Sequence, residues 1–152
     1  MSQGIFSALS HLENEIMSIV PKSDIHHGFV CLARADGLVS SLDQRFNSTR
    51  YFTLMIEGYP EDDGAAGLSG RRRARVSCEV RYDIPKDEIY LSRMISEDAE
   101  YILEKLKGPN YDLATTGIIS VIPEPPIYQV IDQTTNTGHL LTVPFTLLYL
   151  EA

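Results

Sequence analysis

Histidine, cysteine and serine are the side chains of this sequence whose types suit metal binding or nucleophilic catalysis. Such a site needs several of them at a characteristic spacing. His26 and His27 are adjacent, none of the four histidines lies in an HExxH motif, and no serine lies in a GxSxG motif. Cys31 and Cys78 lack CxxC spacing, so we expect two free, buried thiols. The sequence therefore predicts no metal site, no cofactor and no enzyme activity.

Residues 59–76, YPEDDGAAGLSGRRRARV, carry the densest charge in the chain. The GxxxxGK[ST] phosphate loop is excluded because this segment contains no lysine, and its neighbouring carboxylates lack the alternating spacing of an EF-hand. Two interpretations stay open: a solvated hairpin tip, or an arm that pairs with carboxylates of a neighbouring subunit. Under the second, the candidate interface residues are Asp62, Asp63, Arg71, Arg72, Arg73 and Arg75. We expect residues 60–72 to project from the sheet as a mobile tip.

Length and charge narrow the classes of protein. A chain of 152 residues suits a single domain covering residues 1–152. The formal net charge of −8 argues against sequence-independent binding of nucleic acid, which needs a basic surface. No apolar run approaches the roughly 18 residues of a membrane span, and the N-terminus is a poor signal peptide. We therefore expect synthesis in the cytoplasm and no membrane partner.

Two segments have helical periodicity. In residues 2–20 the apolar side chains recur at steps of three and four, at Ile5, Leu9, Leu12, Ile16 and Ile19. After Pro85 a second stripe contains Leu91, Ile95, Ile102 and Leu106, and Gly108-Pro109 ends it. Glu97, Glu100 and Glu104 of this second helix are interpreted as a solvated face.

The remaining segments indicate strands. Residues 50–59 and 73–84 alternate between apolar and polar side chains, so we expect them to pair as a hairpin joined by the charged segment. Residues 29–33 and 116–124 predict short strands, and residues 127–132 and 139–151 predict a second hairpin. Pro144 lies inside the last strand, which predicts a bulge or an edge position because proline donates no hydrogen bond.

These elements together predict an α+β fold. It consists of an antiparallel or mixed β-sheet with two helices packed on one face, and a long β-hairpin arm.

The order of these segments resembles that of the tail terminator and head–tail joining proteins of tailed bacteriophages. The resemblance rests on the N-terminal helix, the turn GYPEDDG before an arginine-led strand, the helix ISEDAEYILEKL, then PNYDLATTGI and the closing LLTVPFTLLYLE. It implies a virion protein, assembled in the host cytoplasm, that forms a ring of six copies. The implied partners are the tail-tube protein and a neck or connector protein. Genomic DNA would pass through the ring without specific binding.

Other classes stay open on the sequence. A neck connector ring of the same fold is the nearest alternative, because its segments would follow the same order. A nucleic-acid-binding module conflicts with the acidic charge, and a small hydrolase lacks a recognisable catalytic set.

Overall fold

The computed structural model describes residues 4–22, 28–31, 50–62, 70–82, 88–107, 111, 116–132 and 138–150; Asp63 and the rest of residues 63–69 lie outside this part. The elements, in chain order, are helix α1 (Ile5–Met17), strands β1 (Phe29–Cys31), β2 (Arg50–Asp62) and β3 (Arg71–Tyr82), helix α2 (Glu88–Leu106), and strands β4 (Ile118–Pro123), β5 (Ile127–Asp132) and β6 (Gly138–Leu150). The predicted α+β class is confirmed. No described helix is long and apolar enough to cross a membrane.

The six strands form one mixed sheet in the order β1-β2-β3-β6-β4, and β5 also pairs with β6. Strand β1 runs parallel to β2, and all other pairs are antiparallel. Both predicted hairpins are confirmed, β2 with β3 and β5 with β6. The central strands are β3 and β6, which pair along their whole length from Arg71 opposite Leu150 to Tyr82 opposite His139.

The core lies between the helices and alternate residues of the sheet. Ala74, Val76, Cys78, Val80 and Tyr82 of β3 are all buried, as their alternation with polar residues predicts. They share one apolar cluster with α1 and α2, whose stripes contribute residues such as Leu12 and Ile102. Both cysteines are free and buried, as predicted.

Pro144 corrects one expectation. It lies in β6, which has partners on both sides, so it is not at an edge. On one side it pairs with Ser77 of β3. On the other side β4 pairing reaches Phe145 and β5 pairing begins at Thr142, so Pro144 lies where the partner of β6 changes from β4 to β5. The Pro144 carbonyl accepts a hydrogen bond from the Glu124 amide at 2.8 Å. The Pro144 nitrogen, which has no hydrogen to donate, lies on the side of the connection between β4 and β5, where no strand pairing needs a donor.

The hairpin of β2 and β3 corrects a second expectation. Residues 60–62 belong to β2, and Arg71 and Arg72 belong to β3, so these parts of the expected tip are paired strand. Beyond Phe52, β2 has no second strand partner among the described residues, because β1 pairs only with its first three residues. This explains why Ile56, which lies on the same side of β2 as the buried Phe52, is 40% exposed.

Candidate functional site

The face of the sheet opposite the helices, which we term the open face, carries three of the six predicted interface residues. On β3 it includes the exposed side chains of Arg71, Arg73, Arg75 and Arg81, which alternate with the buried core residues. Strand register places Met55 and Glu57 of β2 beside β3 on this face, and Ile122 of β4 beside β6. The alternation that buries one side of β3 therefore gathers its arginines on the other side.

Arg75 lies at the centre of an ion-pair network on the open face. Its Nε donates to Glu57 Oε2 at 2.9 Å, and its Nη1 lies 2.6 Å from Glu124 Oε2. These contacts join β2, β3 and the end of β4 in one row. All three side chains are well exposed, from 38% to 50%, so solvent screens the pairs and they contribute little to stability. Their main effect is to fix the position of the guanidinium group.

The carboxylate of Glu57 is held ionised by its neighbours. The Ser77 hydroxyl donates a hydrogen bond to Glu57 Oε1. This bond is the largest cause that lowers the pKa of Glu57, and the Arg75 guanidinium lowers it further. The pKa of Arg75 is raised in turn, first by its bond to Glu124 and then by its bond to Glu57. Glu57 and Arg75 therefore stabilise each other's charged forms.

The acidic and basic halves of the charged segment lie opposite each other across the hairpin. Glu57 pairs in register with Arg75, Glu61 with Arg73, and Asp62 with Arg72. Between the first two pairs the register shifts, because residues 58–60 of β2 are opposite Ala74 alone. Gly58 in this bulge has a φ of 77°, which glycine adopts without strain. Within YPEDDGAAGLSGRRRARV, the register therefore puts acidic residues opposite arginines, an arrangement that favours cross-strand pairing.

The six predicted interface residues do not all share one surface. Arg71, Arg73 and Arg75 are exposed on the open face, whereas Arg72 is half-buried and alternates to the other side of β3. Asp62 lies in β2 opposite Arg72, and Asp63 lies outside the described residues. Arg75 was expected to bind carboxylates of a neighbouring subunit, but here it binds two carboxylates of its own chain.

A second polar cluster, buried on the core side, was not predicted. The side chains of Arg50 in β2 and Asp98 in α2 are both completely buried, with Arg50 Nε 2.6 Å from Asp98 Oδ2. The Tyr82 hydroxyl donates to the same oxygen at 2.9 Å, and the Arg50 guanidinium lies 5.6 Å from the centre of the Phe29 ring. These residues join β1, β2, β3 and α2 at the end of the sheet where β2 begins.

Burial dominates the electrostatics of this cluster. It raises the pKa of Asp98, against the opposing effect of Arg50, and it raises the pKa of Tyr82. Asp98 Oδ1 has no hydrogen-bond partner among the described residues, which adds to the cost of its charge. Neither member of the ion pair is exposed, so solvent and substrates do not reach it in this structure. Its effect is to connect the β2–β3 hairpin to α2.

One sequence signal did point to this cluster. Asp98 lies between Ile95 and Ile102 on the apolar stripe of α2, and Arg50 has the same strand parity as the buried Phe52. A charged residue at a core position of each element predicts a buried pair.

Next to the cluster, His139 of β6 is buried and lies opposite Tyr82 in the sheet register. Its Nδ1 lies 2.7 Å from the Tyr128 hydroxyl, and the two rings are stacked. Among the residues that the structure describes, no three histidine, cysteine or carboxylate side chains are placed to hold a metal ion.

No protein-family model matches the chain, and a search of curated proteins gave no match.

Proposed function

We propose that the protein is a structural subunit of a bacteriophage tail, which forms a ring of six copies that caps the tail tube and joins the tail to the head. The support from the sequence is the order of its segments, which resembles that of the tail terminator and head–tail joining proteins. The support from the structure is an α+β fold with a long β2–β3 hairpin, which suits a subunit of a ring.

The observation that carries the proposal is that the sheet has two different faces. One face builds the core with both helices. The open face carries exposed aliphatic residues beside arginines, including Met55 and Ile122, which are 51% and 54% exposed. A fold that completes its core on one side and keeps an exposed surface of apolar and charged side chains on the other is suited to assembly with other proteins.

The net charge of −8 is compatible with a ring through which DNA passes. A surface that binds DNA without sequence preference displaces counterions with lysine and arginine side chains. An acidic ring would instead let the phosphate backbone slide through without holding it.

The proposal is tested by locating the protein and its partners. Purification of an affinity-tagged chain from cells that assemble phage particles should recover the tail-tube protein, and electron microscopy should show a six-fold ring at the head-proximal end of the tail. Recovery of the head-side connector alone, without the tail-tube protein, would favour a neck connector. A chain that is absent from assembled particles would contradict the proposal.

A second experiment tests the arginines. Replacement of Arg71, Arg72 and Arg73 by alanine should give tails that fail to join heads, because charge-assisted contacts with carboxylates of a partner are lost. The matched control replaces Arg93 and Lys107, which are exposed on or beside α2. Melting temperatures measured for both variants separate loss of assembly from loss of folding. If the triple variant assembles normally, these arginines are solvated surface residues and take no part in the contact.

A further inference from the structure

The sheet has two outer edges. Among the described residues, β2 forms one edge, because β1 covers only its first three residues, and β4 and β5, which follow one another along β6, form the other. From the first edge to the second, the path passes through β2, β3, β6 and β5, and each strand is antiparallel to the next. Strands β2 and β5 therefore run in opposite directions. When two copies lie side by side in the same orientation, β5 of one is antiparallel to β2 of the other.

On β2, the backbone groups that point to the outer edge belong to even-numbered residues. The Arg50 amide donates a hydrogen bond to the Gly28 carbonyl at 3.4 Å, so it points away from β3. In an antiparallel ladder, successive residues point their amide and carbonyl groups to opposite sides. Leu54 and Ile56 therefore each present a donor and an acceptor to the outer edge of β2.

On β5, the same alternation identifies the outward-pointing groups. The Pro144 carbonyl points toward the connection between β4 and β5, with which it forms a hydrogen bond. Thr142 lies two residues earlier in β6, points the same way and is opposite Ile127. The backbone groups of Ile127 therefore face β6, and those of Tyr128 and Val130 point to the outer edge.

The outer edge of β2 has room for a strand of five residues, beside residues 53–57. Strand β1 occupies the place beside Phe52 at one end, and the bulge that contains Pro60 begins at the other. Strand β5 (Ile127–Asp132) is of matching length, and Pro126 precedes it. Because proline has no amide hydrogen, Pro60 and Pro126 interrupt the two edges at the same end when the strands are antiparallel.

One register pairs all five residues of this stretch and matches the directions of the backbone groups. It places residues 53–57 opposite residues 127–131, with Ile56 opposite Tyr128 and Leu54 opposite Val130 as hydrogen-bonded pairs. A shift by one residue would put outward-pointing groups opposite groups that point inward.

The same register brings exposed apolar side chains together on both faces of the sheet. On the core side, Ile56 and Tyr128 are directly opposite, and they are 40% and 38% exposed in the single chain. On the open face, Met55 and Ile127 are diagonal neighbours within reach of each other, and each is more than half exposed. These four residues are half of the eight large apolar side chains that are exposed in the described part of the chain.

From this match we infer that β5 of one copy pairs with residues 53–57 of a second copy, so that the sheet continues from copy to copy. A two-fold pairing of β5 with β5 would leave Met55 and Ile56 exposed. A pairing of β2 with β2 would extend residues 58–62 into the place of β1. The contact is heterologous, and repeated heterologous contacts close into a ring. The inference thus specifies the interface of the proposed ring and rests on that function only for the number of copies.

A disulfide tests this register directly. Met55 and Gln129 are both exposed, and as a non-hydrogen-bonded pair their Cα atoms would lie about 4.5 Å apart, within the range that a disulfide spans. Both natural cysteines are buried, so introduced cysteines are the reactive thiols in the folded protein. A mixture of purified Met55→Cys and Gln129→Cys, oxidised with copper–phenanthroline, should give several-fold more disulfide-linked dimer than either variant alone. The double variant should give a ladder of higher oligomers, because three strand spacings of about 4.8 Å separate the two positions within one copy.

The matched control is Ile127→Cys, on the same strand and face as Gln129. In the inferred register it is a diagonal neighbour of Met55 at about 7–8 Å, too far for a disulfide, so its mixture with Met55→Cys should give several-fold less dimer. Equal yields from the two mixtures would show random collision and overturn the inference. A dominant homodimer of Gln129→Cys would replace it by a two-fold contact, and absence of any product would also overturn it.

Further measurements separate this interface from folding and from the proposed function. The melting temperature of each reduced variant should equal that of the wild-type protein, since the substituted side chains are exposed. Six-fold rings on tails in which the oxidised double variant forms no disulfide would leave the proposed function intact and reject only this interface. Disulfide-linked oligomers of a protein that is absent from phage particles would retain the interface and reject the function.

Discussion

Arg50 and Asp98 are separated by 48 positions in the chain, yet they form an ion pair of 2.6 Å with both side chains completely buried. Arg50 begins the β2–β3 hairpin and Asp98 lies in the middle of α2. The pair therefore connects the element that carries the charged segment to a helix of the core. Removal of both charges from water is costly, so their joint contribution depends on how well each compensates the other.

We predict that loss of one member is far worse than loss of both. Arg50→Met or Asp98→Leu should each lower the free energy of unfolding by about 3–5 kcal/mol, because an uncompensated charge stays buried. The double variant Arg50→Met/Asp98→Leu should lower it by much less than the sum of the single effects. Urea unfolding of the four proteins measures this coupling. Arg81→Ala, at an exposed arginine of β3, is the control and should change stability by no more than about 0.5 kcal/mol.

Asp98 should also contribute a dependence of stability on pH. Burial raises its pKa in the folded protein above the ordinary value of 3.8. Its contribution is therefore fully present below the unfolded pKa, and it is lost as pH rises through the folded pKa, because the folded state then binds more protons than the unfolded state. Relative to Asp98→Asn, which does not titrate, the wild-type protein should lose stability as pH rises from about 3 to 7.

Urea unfolding of the wild-type protein and of Asp98→Asn across this pH range measures the difference. A difference that grows in favour of the wild-type protein with rising pH would show that Arg50 stabilises the carboxylate more than burial destabilises it.

The parts of the fold that follow from local periodicity were predictable. The buried side of β3, with Val76, Cys78 and Val80, follows from strict alternation, and its pairing with β2 follows from adjacency in the chain. The prediction for the distal end of the hairpin was wrong. The glycines and charges of this segment favour a loop, and the sequence was interpreted accordingly. The register shows that the acidic and basic residues are cross-strand partners, which stabilises a longer ladder.

The features that depend on distant segments were not predictable from local patterns. Pro144 was expected at an edge or a bulge, since proline lacks a donor. It lies instead in a central strand, at the position where the opposite strand changes, and this depends on where β4 ends and β5 begins. The position of Asp98 on the apolar stripe of α2 marks it as a charged core residue but does not identify its partner. Its partner is known only once β2 is placed against α2.

The bond from Ser77 to Glu57 gives a prediction for the open face. Because this bond is the largest cause of the lowered pKa, Ser77→Ala should raise the pKa of Glu57 toward its ordinary value. A lowered pKa contributes stability above the unfolded pKa, which is lost as pH falls through the folded pKa, so the variant should show a smaller loss of stability in acid. Carboxyl-detected NMR titration of Glu57 measures the shift. Ser92→Ala on α2 is the control, and an equal shift there would contradict the assignment to the hydroxyl.

Gly58 provides a test of the bulge in β2. Its φ of 77° suits glycine, and a Cβ at this position would meet no atom within 4 Å. Backbone strain is therefore the only cost that Gly58→Ala should introduce, about 1–2 kcal/mol of the free energy of unfolding. Gly58→Asn should cost less, because asparagine tolerates this conformation better than alanine does.

Gly28 is the matched control, because a Cβ there also meets no atom within 4 Å and its φ lies outside the left-handed region. Gly28→Ala should leave stability unchanged or raise it by up to about 1 kcal/mol, since alanine reduces the conformational freedom of the unfolded chain. Urea unfolding of the three variants separates the two effects. If Gly58→Ala is as stable as Gly28→Ala, the bulge does not require a left-handed residue, and the shift of register between Glu57 and Glu61 must have another cause.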